Sequence, residues 1–182
     1  MTSDLENDAL LKAGKIICSI FRFICLAFAI LAGAIGLLAL IAGIVALIAP
    51  ETFASASIED LGAAEAIGLG LLLGLVSYAF WLSASFLKHL SAIIATVSDG
   101  DPFVGANAER LRSMARICLV LFALSVLATI GGLIYLALGL PMEGSFEFDI
   151  SLETLLLALV LFILARVFKR GAQMREDLEG TV

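Results

Sequence analysis

The chain alternates long stretches without a single charge and short polar ones. The first uncharged run lies between Arg22 and Glu51 and reads FICLAFAILAGAIGLLALIAGIVALIAP, 28 residues. A helix rises about 1.5 Å per residue, so roughly 20 apolar residues cross a hydrocarbon core about 30 Å thick. This run is long enough to cross with tilt, and Pro50 predicts its end. The second run, Ala66 to Leu87, has 22 residues, and the third, Ile117 to Met142, has 26. The fourth is shorter, with only 12 uncharged residues from Thr154 to Ala165. Counted from Ile150 to Phe168, with Arg166 snorkelling along its apolar stem, it just reaches across. Ser151 is placed to cap it, and Glu153 falls in its favourable first turn. Ahead of it, Phe146, Phe148 and Ile150 alternate with Glu147 and Asp149, which predicts a short extended segment.

Composition turns these runs into a fold class. The 182 residues are 62% hydrophobic, whereas soluble domains are about 45–50% apolar. A soluble fold of this size could not hide so much apolar surface, and a bilayer removes the difficulty by acting as the solvent. The expectation is an all-α integral membrane protein with four transmembrane helices, near 23–49, 66–87, 117–140 and 150–168. Together they form a domain over 16–170, with tails at 1–15 and 171–182 and a middle loop at 88–116. Ala54-Ser55-Ala56 resembles a cleavage site, but a signal-peptide core is only about 7–15 residues long, so the first run reads as a permanent span.

The net charge of -6 conceals a segregated pattern. All 11 basic residues fall in three clusters: Lys12, Lys15 and Arg22; Lys88, Arg110, Arg112 and Arg116; Arg166, Lys169, Arg170 and Arg175. With four spans these share one side of the membrane. The other two connections carry Glu51, Glu59, Asp60, Glu65, Glu143, Glu147, Asp149 and Glu153, with no Lys or Arg. The positive-inside rule then predicts both termini and the middle loop in the cytoplasm.

The spans hold no Asp, Glu, Lys or Arg of the kind that marks an ion path, which argues against a proton-coupled pump. Their polar residues are Ser77, Tyr78, Ser83, Ser85, Ser125, Thr129 and Tyr135. Such hydroxyls mostly bond to their own helix or to a neighbour. Cys18, Cys25 and Cys118 have no metal-type spacing and read as small apolar residues. His89, the single histidine, sits beside Lys88 at the end of the second run. No nucleophile–base pair, metal cluster or phosphate loop is visible, so neither an enzyme nor a cofactor is expected. Gly70 and Gly74 form a GxxxG pair, and Ala39 with Gly43 and Ala128 with Gly132 repeat the spacing, which lets helices approach closely. Packing within the bundle is favoured over dimerisation.

The middle loop, SDGDPFVGANAERLRSMAR, is the most informative polar segment. Asp99-Gly100 signals a turn and Asp101-Pro102 restricts the chain again. Asn107 is predicted to cap the next helix, and Glu109 is in reach of Arg112 or Arg116. In the tail, Gly171 is expected to interrupt the helix before the charge turns from basic to acidic. Loop and tail should lie together, and the candidate docking surface comprises Asp99, Gly100, Asp101, Pro102, Phe103, Asn107, Arg110, Arg112 and Arg116 with Arg170, Gly171, Arg175, Glu176 and Asp177.

DGDPFVGANAERLRSMARI, followed one span later by VFKRGAQMREDLEGTV, resembles the bacterial membrane-protein family called domain of unknown function 2975. The four apolar helices and the spacing of the motifs fit too, over roughly residues 15 to 182. Gly105-Ala106 departs from the Pro-Glu-like start that the pattern would have there. The resemblance implies a bacterial cytoplasmic membrane. It also implies a frequent gene neighbour encoding a small helix-turn-helix regulator, and hence a membrane partner that sequesters or regulates that protein. It supplies no catalytic residues. The alternative is a transporter or lipid-handling protein for a neutral or amphipathic substrate. On either reading the lipid bilayer is the constant partner, and no direct nucleic-acid contact is expected.

Overall fold

The computed structural model describes residues 2–49, 62–137 and 152–179. Four helices account for nearly all of them: α1 (Thr2–Ile48), α2 (Ala63–Ser98), α3 (Gly105–Ala137) and α4 (Leu152–Glu179). There are no strands among the described residues. The extended segment expected at 146–150, the cap at Ser151 and the stop at Pro50 lie outside them.

Three of the helices are long and apolar enough to cross a bilayer: α1 over Ala9–Ile48, α2 throughout, and α3 over Gly105–Ile134. Much of their apolar surface faces outward. Ile30 and Ile48 are 73% and 78% exposed, far more than water tolerates in a contiguous array but natural against acyl chains. The fourth helix continues without a break through Gly171 to Glu179, so the interruption expected there does not occur. Glycine stands there for a steric reason. A Cβ on Gly171 would sit 2.7 Å from Cδ1 of Phe103, and the missing side chain is what admits that ring.

The described helices divide into two compact units, one holding residues 2–25, 82–123 and 152–179, the other 26–49, 62–81 and 124–137. All of α4 therefore lies in the first. Its core joins Leu111, Met114, Ala115 and Cys118 of α3 to Ala158, Leu161 and Ala165 of α4, with Phe86, Leu90 and Ile93 of α2 packed against them. The alanines bring the α3 and α4 backbones close, and the Phe and Leu side chains fill the space around that seam.

In the second unit α1 and α2 cross on glycine. A Cβ on Gly36 would lie 3.1 Å from the Gly70 carbonyl oxygen, and one on Gly70 would lie 2.8 Å from that of Gly36 and 2.5 Å from Leu40 Cγ. Gly43 meets Ile67 in the same way, its Cβ position 2.9 Å from the Ile67 nitrogen. The Ser77 hydroxyl donates to the Ala29 carbonyl at 2.7 Å, while Thr129 donates to Ser125 of its own helix at 2.9 Å. Both roles expected of span hydroxyls thus occur. Phe28 stacks on Phe80, ring centroids 5.5 Å apart.

Of the GxxxG pair only Gly70 is used in this way, because a Cβ on Gly74 would meet nothing. Gly70→Ala is expected to cost about 1–3 kcal/mol, since the obstruction includes backbone that cannot rotate aside. Gly74→Ala should stay within about 0.5 kcal/mol. Thermal unfolding of the two variants in mild detergent separates these outcomes.

Candidate functional site: the α2–α3 connection and the end of α4

The site lies wholly in the first unit. It begins where α2 stops. The Gly100 N–H donates to Val97 at 3.1 Å and the Asp101 N–H to Thr96 at 3.0 Å, and Gly100 has φ +80°. This is the Schellman arrangement, in which a left-handed residue turns the chain back over its own last carbonyls. Only glycine takes that φ without a Cβ penalty. The turn sends Asp101, Pro102 and Phe103 across the first turn of α3 and towards α4.

Asn107 ties the connection down. The helix starts at Gly105, so Asn107 lies within its first turn instead of preceding it as a cap. Its side chain is completely buried. The amide nitrogen donates to Thr96 Oγ1 at 2.7 Å and to the Pro102 carbonyl at 2.9 Å. The amide oxygen accepts from Arg110 Nη1 at 2.7 Å. Arg110 also donates to the Ala92 carbonyl at 3.2 Å, and Thr96 donates on to Ile93 at 2.8 Å. One polar network thus joins α2, the turn and α3, and every buried side-chain donor and acceptor among the described residues has a partner. Asn107 departs from the helix N-cap pattern because Thr96 and Pro102 offer its amide partners that a cap geometry would forgo.

The end of α4 closes on the same turn. Phe103 packs on Phe168, ring centroids 5.3 Å apart, and covers the bare backbone of Gly171. Arg175 donates to Asp101 in an ion pair. The two partners keep 49% and 37% of their side-chain surface exposed, so the pair contributes only about 0–1 kcal/mol. The aromatic contact therefore carries most of the docking of tail on loop, and the buried amide holds the turn it docks on.

Of the residues the sequence points to, Asp101, Phe103, Gly171 and Arg175 come together, as do Asn107, Pro102 and Arg110. Asn107 and most of Arg110 serve the interior and present little to a partner. Arg112 is half-exposed and bonded to Glu109 at 2.7 Å. Arg116 is exposed, and its guanidinium donates to Ser113 Oγ at 3.1 Å. Asp99, Arg170, Glu176 and Asp177 are exposed as well. Thr96 and Phe168 were not singled out by sequence. A threonine four residues before the turn glycine is the one signal that would have suggested the first. No three His, Cys, Asp or Glu side chains converge as a metal site among the described residues.

Described residues that are nearly all helical, with three bilayer-length apolar helices among them and a folded polar turn clasped by α4, define a helical membrane protein. Its family is the one described as protein of unknown function (DUF2975), whose pattern matches residues 58–182, well over half the chain; the chain belongs to it. No curated protein and no solved structure matches.

Proposed function

We propose that the chain is a non-enzymatic, four-span membrane protein whose loop-and-tail surface binds a small cytosolic helix-turn-helix regulator and keeps it from DNA. The observation that carries the reading is the folded α2–α3 turn with the α4 end seated on it. If α3 crosses the bilayer, a tail in contact with Asp101 and Phe103 requires the chain to return between 138 and 167, which supports a fourth crossing through α4. The segregation of all basic residues supports placing this face, with both termini, in the cytoplasm of a bacterial cell. The accessible charges are of both signs: Arg112 is paired with Glu109, and Arg116, Arg170, Glu176 and Asp177 are exposed, a surface suited to a charged protein partner. The neighbouring regulator gene that the family resemblance implies supplies the candidate.

The test is co-purification of full-length protein with that regulator in mild detergent. The regulator should be retained, and R112E/R116E should reduce retention at least tenfold while the thermal transition is kept. No retention by an intact, folded protein contradicts the proposal.

The second reading, handling of a lipid or amphipathic substrate, is supported by an open groove of about 410 Å³ between α1 and α2, lined by Leu26, Ala29, Ile30, Gly33, Gly74, Ser77, Tyr78 and Trp81. Tyr78 and Trp81 stack at 5.8 Å and stand exposed beside it. Faster transbilayer movement of a labelled phospholipid in vesicles holding the protein would favour this reading, and an unchanged rate would remove it.

A further inference from the structure

We infer that Lys88 and His89 of α2, together with Ser113 and Arg116 of α3, form a binding site for the phosphate headgroup of an anionic phospholipid. The register of the two helices sets these residues at one level. Thr96 is bonded to Asn107 and, about one turn along, Ala92 is bonded to Arg110. One further turn in the same direction brings Lys88 and His89 of α2 level with Ser113 to Arg116 of α3.

The same register aligns two boundaries in the sequence. Lys88 directly follows the uncharged run that ends at Leu87, and Arg116 directly precedes the one that starts at Ile117. The two cations thus stand at one depth, where apolar helix gives way to polar, which is where a lipid phosphate lies. A soluble phosphate would have no need of that alignment, and it selects the lipid as occupant.

The charge of the cluster is uncompensated. The charges acting on His89 are those of Lys88, Arg110 and Arg116, all positive. Arg112 is matched by Glu109, whereas Arg116 takes the neutral Ser113 hydroxyl. Among the described residues neither Lys88 nor Arg116 has a carboxylate within ion-pair distance. Both are exposed, and His89 and Ser113 are half-buried. An anion there accepts charge-assisted hydrogen bonds from a guanidinium and an ammonium, with imidazole and hydroxyl donors behind them.

The test is mass spectrometry of the full chain released from nanodiscs of equal parts phosphatidylglycerol and phosphatidylcholine. The intact protein should retain phosphatidylglycerol over phosphatidylcholine at least fivefold. K88Q/R116Q should abolish the preference, and K12Q/K15Q, which removes the same charge elsewhere, should leave it. Equal retention of the two lipids overturns the site. So does an equal loss in both double variants, which would mean diffuse attraction only. Inorganic phosphate that binds the detergent-solubilised protein and displaces the lipid at millimolar concentration would also overturn it, by showing a free-anion site. Circular dichroism of each variant confirms the helices are retained.

Discussion

Asn107→Ala is expected to destabilise the protein by about 2–4 kcal/mol. The side chain has no exposed surface, and its amide makes three bonds, to Thr96, Pro102 and Arg110. Truncation leaves the Pro102 carbonyl and the Thr96 hydroxyl without their donor and takes one acceptor from a guanidinium. Each orphaned buried group costs about 1–3 kcal/mol, more where charge is involved. Arg110 keeps the Ala92 carbonyl and Thr96 keeps Ile93, which holds the total below the simple sum. Thermal unfolding in detergent should fall by roughly 5–15 °C. Asn107→Asp restores an acceptor for Arg110 but turns an oxygen towards the Pro102 carbonyl, so it should not recover the loss. A shift under about 2 °C for Asn107→Ala would mean that the network does not hold the turn.

Gly171→Leu is expected to release the end of α4. A Cβ at 171 falls 2.7 and 3.1 Å from two carbons of the Phe103 ring. That ring is backed by Phe168 and cannot yield without parting from it. Overpacking of this kind costs about 1–3 kcal/mol. Replacing a mid-helix glycine also returns about 0.5–1 kcal/mol in helix propensity, so Gly171→Ala should come out near neutral and Gly171→Leu clearly destabilised. Cleavage after Arg170 and Arg175 follows the population of the opened state. A cost of about 1.4 kcal/mol is tenfold in that population, so trypsin should cut the Leu variant about ten times faster. Unchanged cleavage would mean that the tail is not seated on the loop.

Charge-free runs made the membrane character legible in the sequence, because in lipid the length and polarity of a segment dictate its state almost alone. The Asp99-Gly100 turn was legible for a similar reason, since glycine at a helix end has few uses. The site between those elements was only half legible. Asn107 offered a familiar local role, and the structure uses it instead for contacts to Thr96 and Pro102 that depend on where α2 ends relative to α3. Gly171 looked like a breaker because helix propensity is a local quantity. Its actual role is set by Phe103, which lies far away in the chain, and tertiary packing overrode the local preference. The small-residue pairs followed the same rule: Gly70 and Gly74 are equivalent as a motif, yet an added Cβ collides with α1 only at Gly70.

In the proposed topology the loop and the tail share one aqueous side of the bilayer. Its most direct test uses a variant with Cys18, Cys25 and Cys118 replaced by serine and one new cysteine at a time, from Arg112→Cys, Arg170→Cys or Ser57→Cys, probed with a membrane-impermeant maleimide. In intact cells position 57 should react, and positions 112 and 170 should react only after lysis. Labelling of either 112 or 170 in intact cells would contradict it.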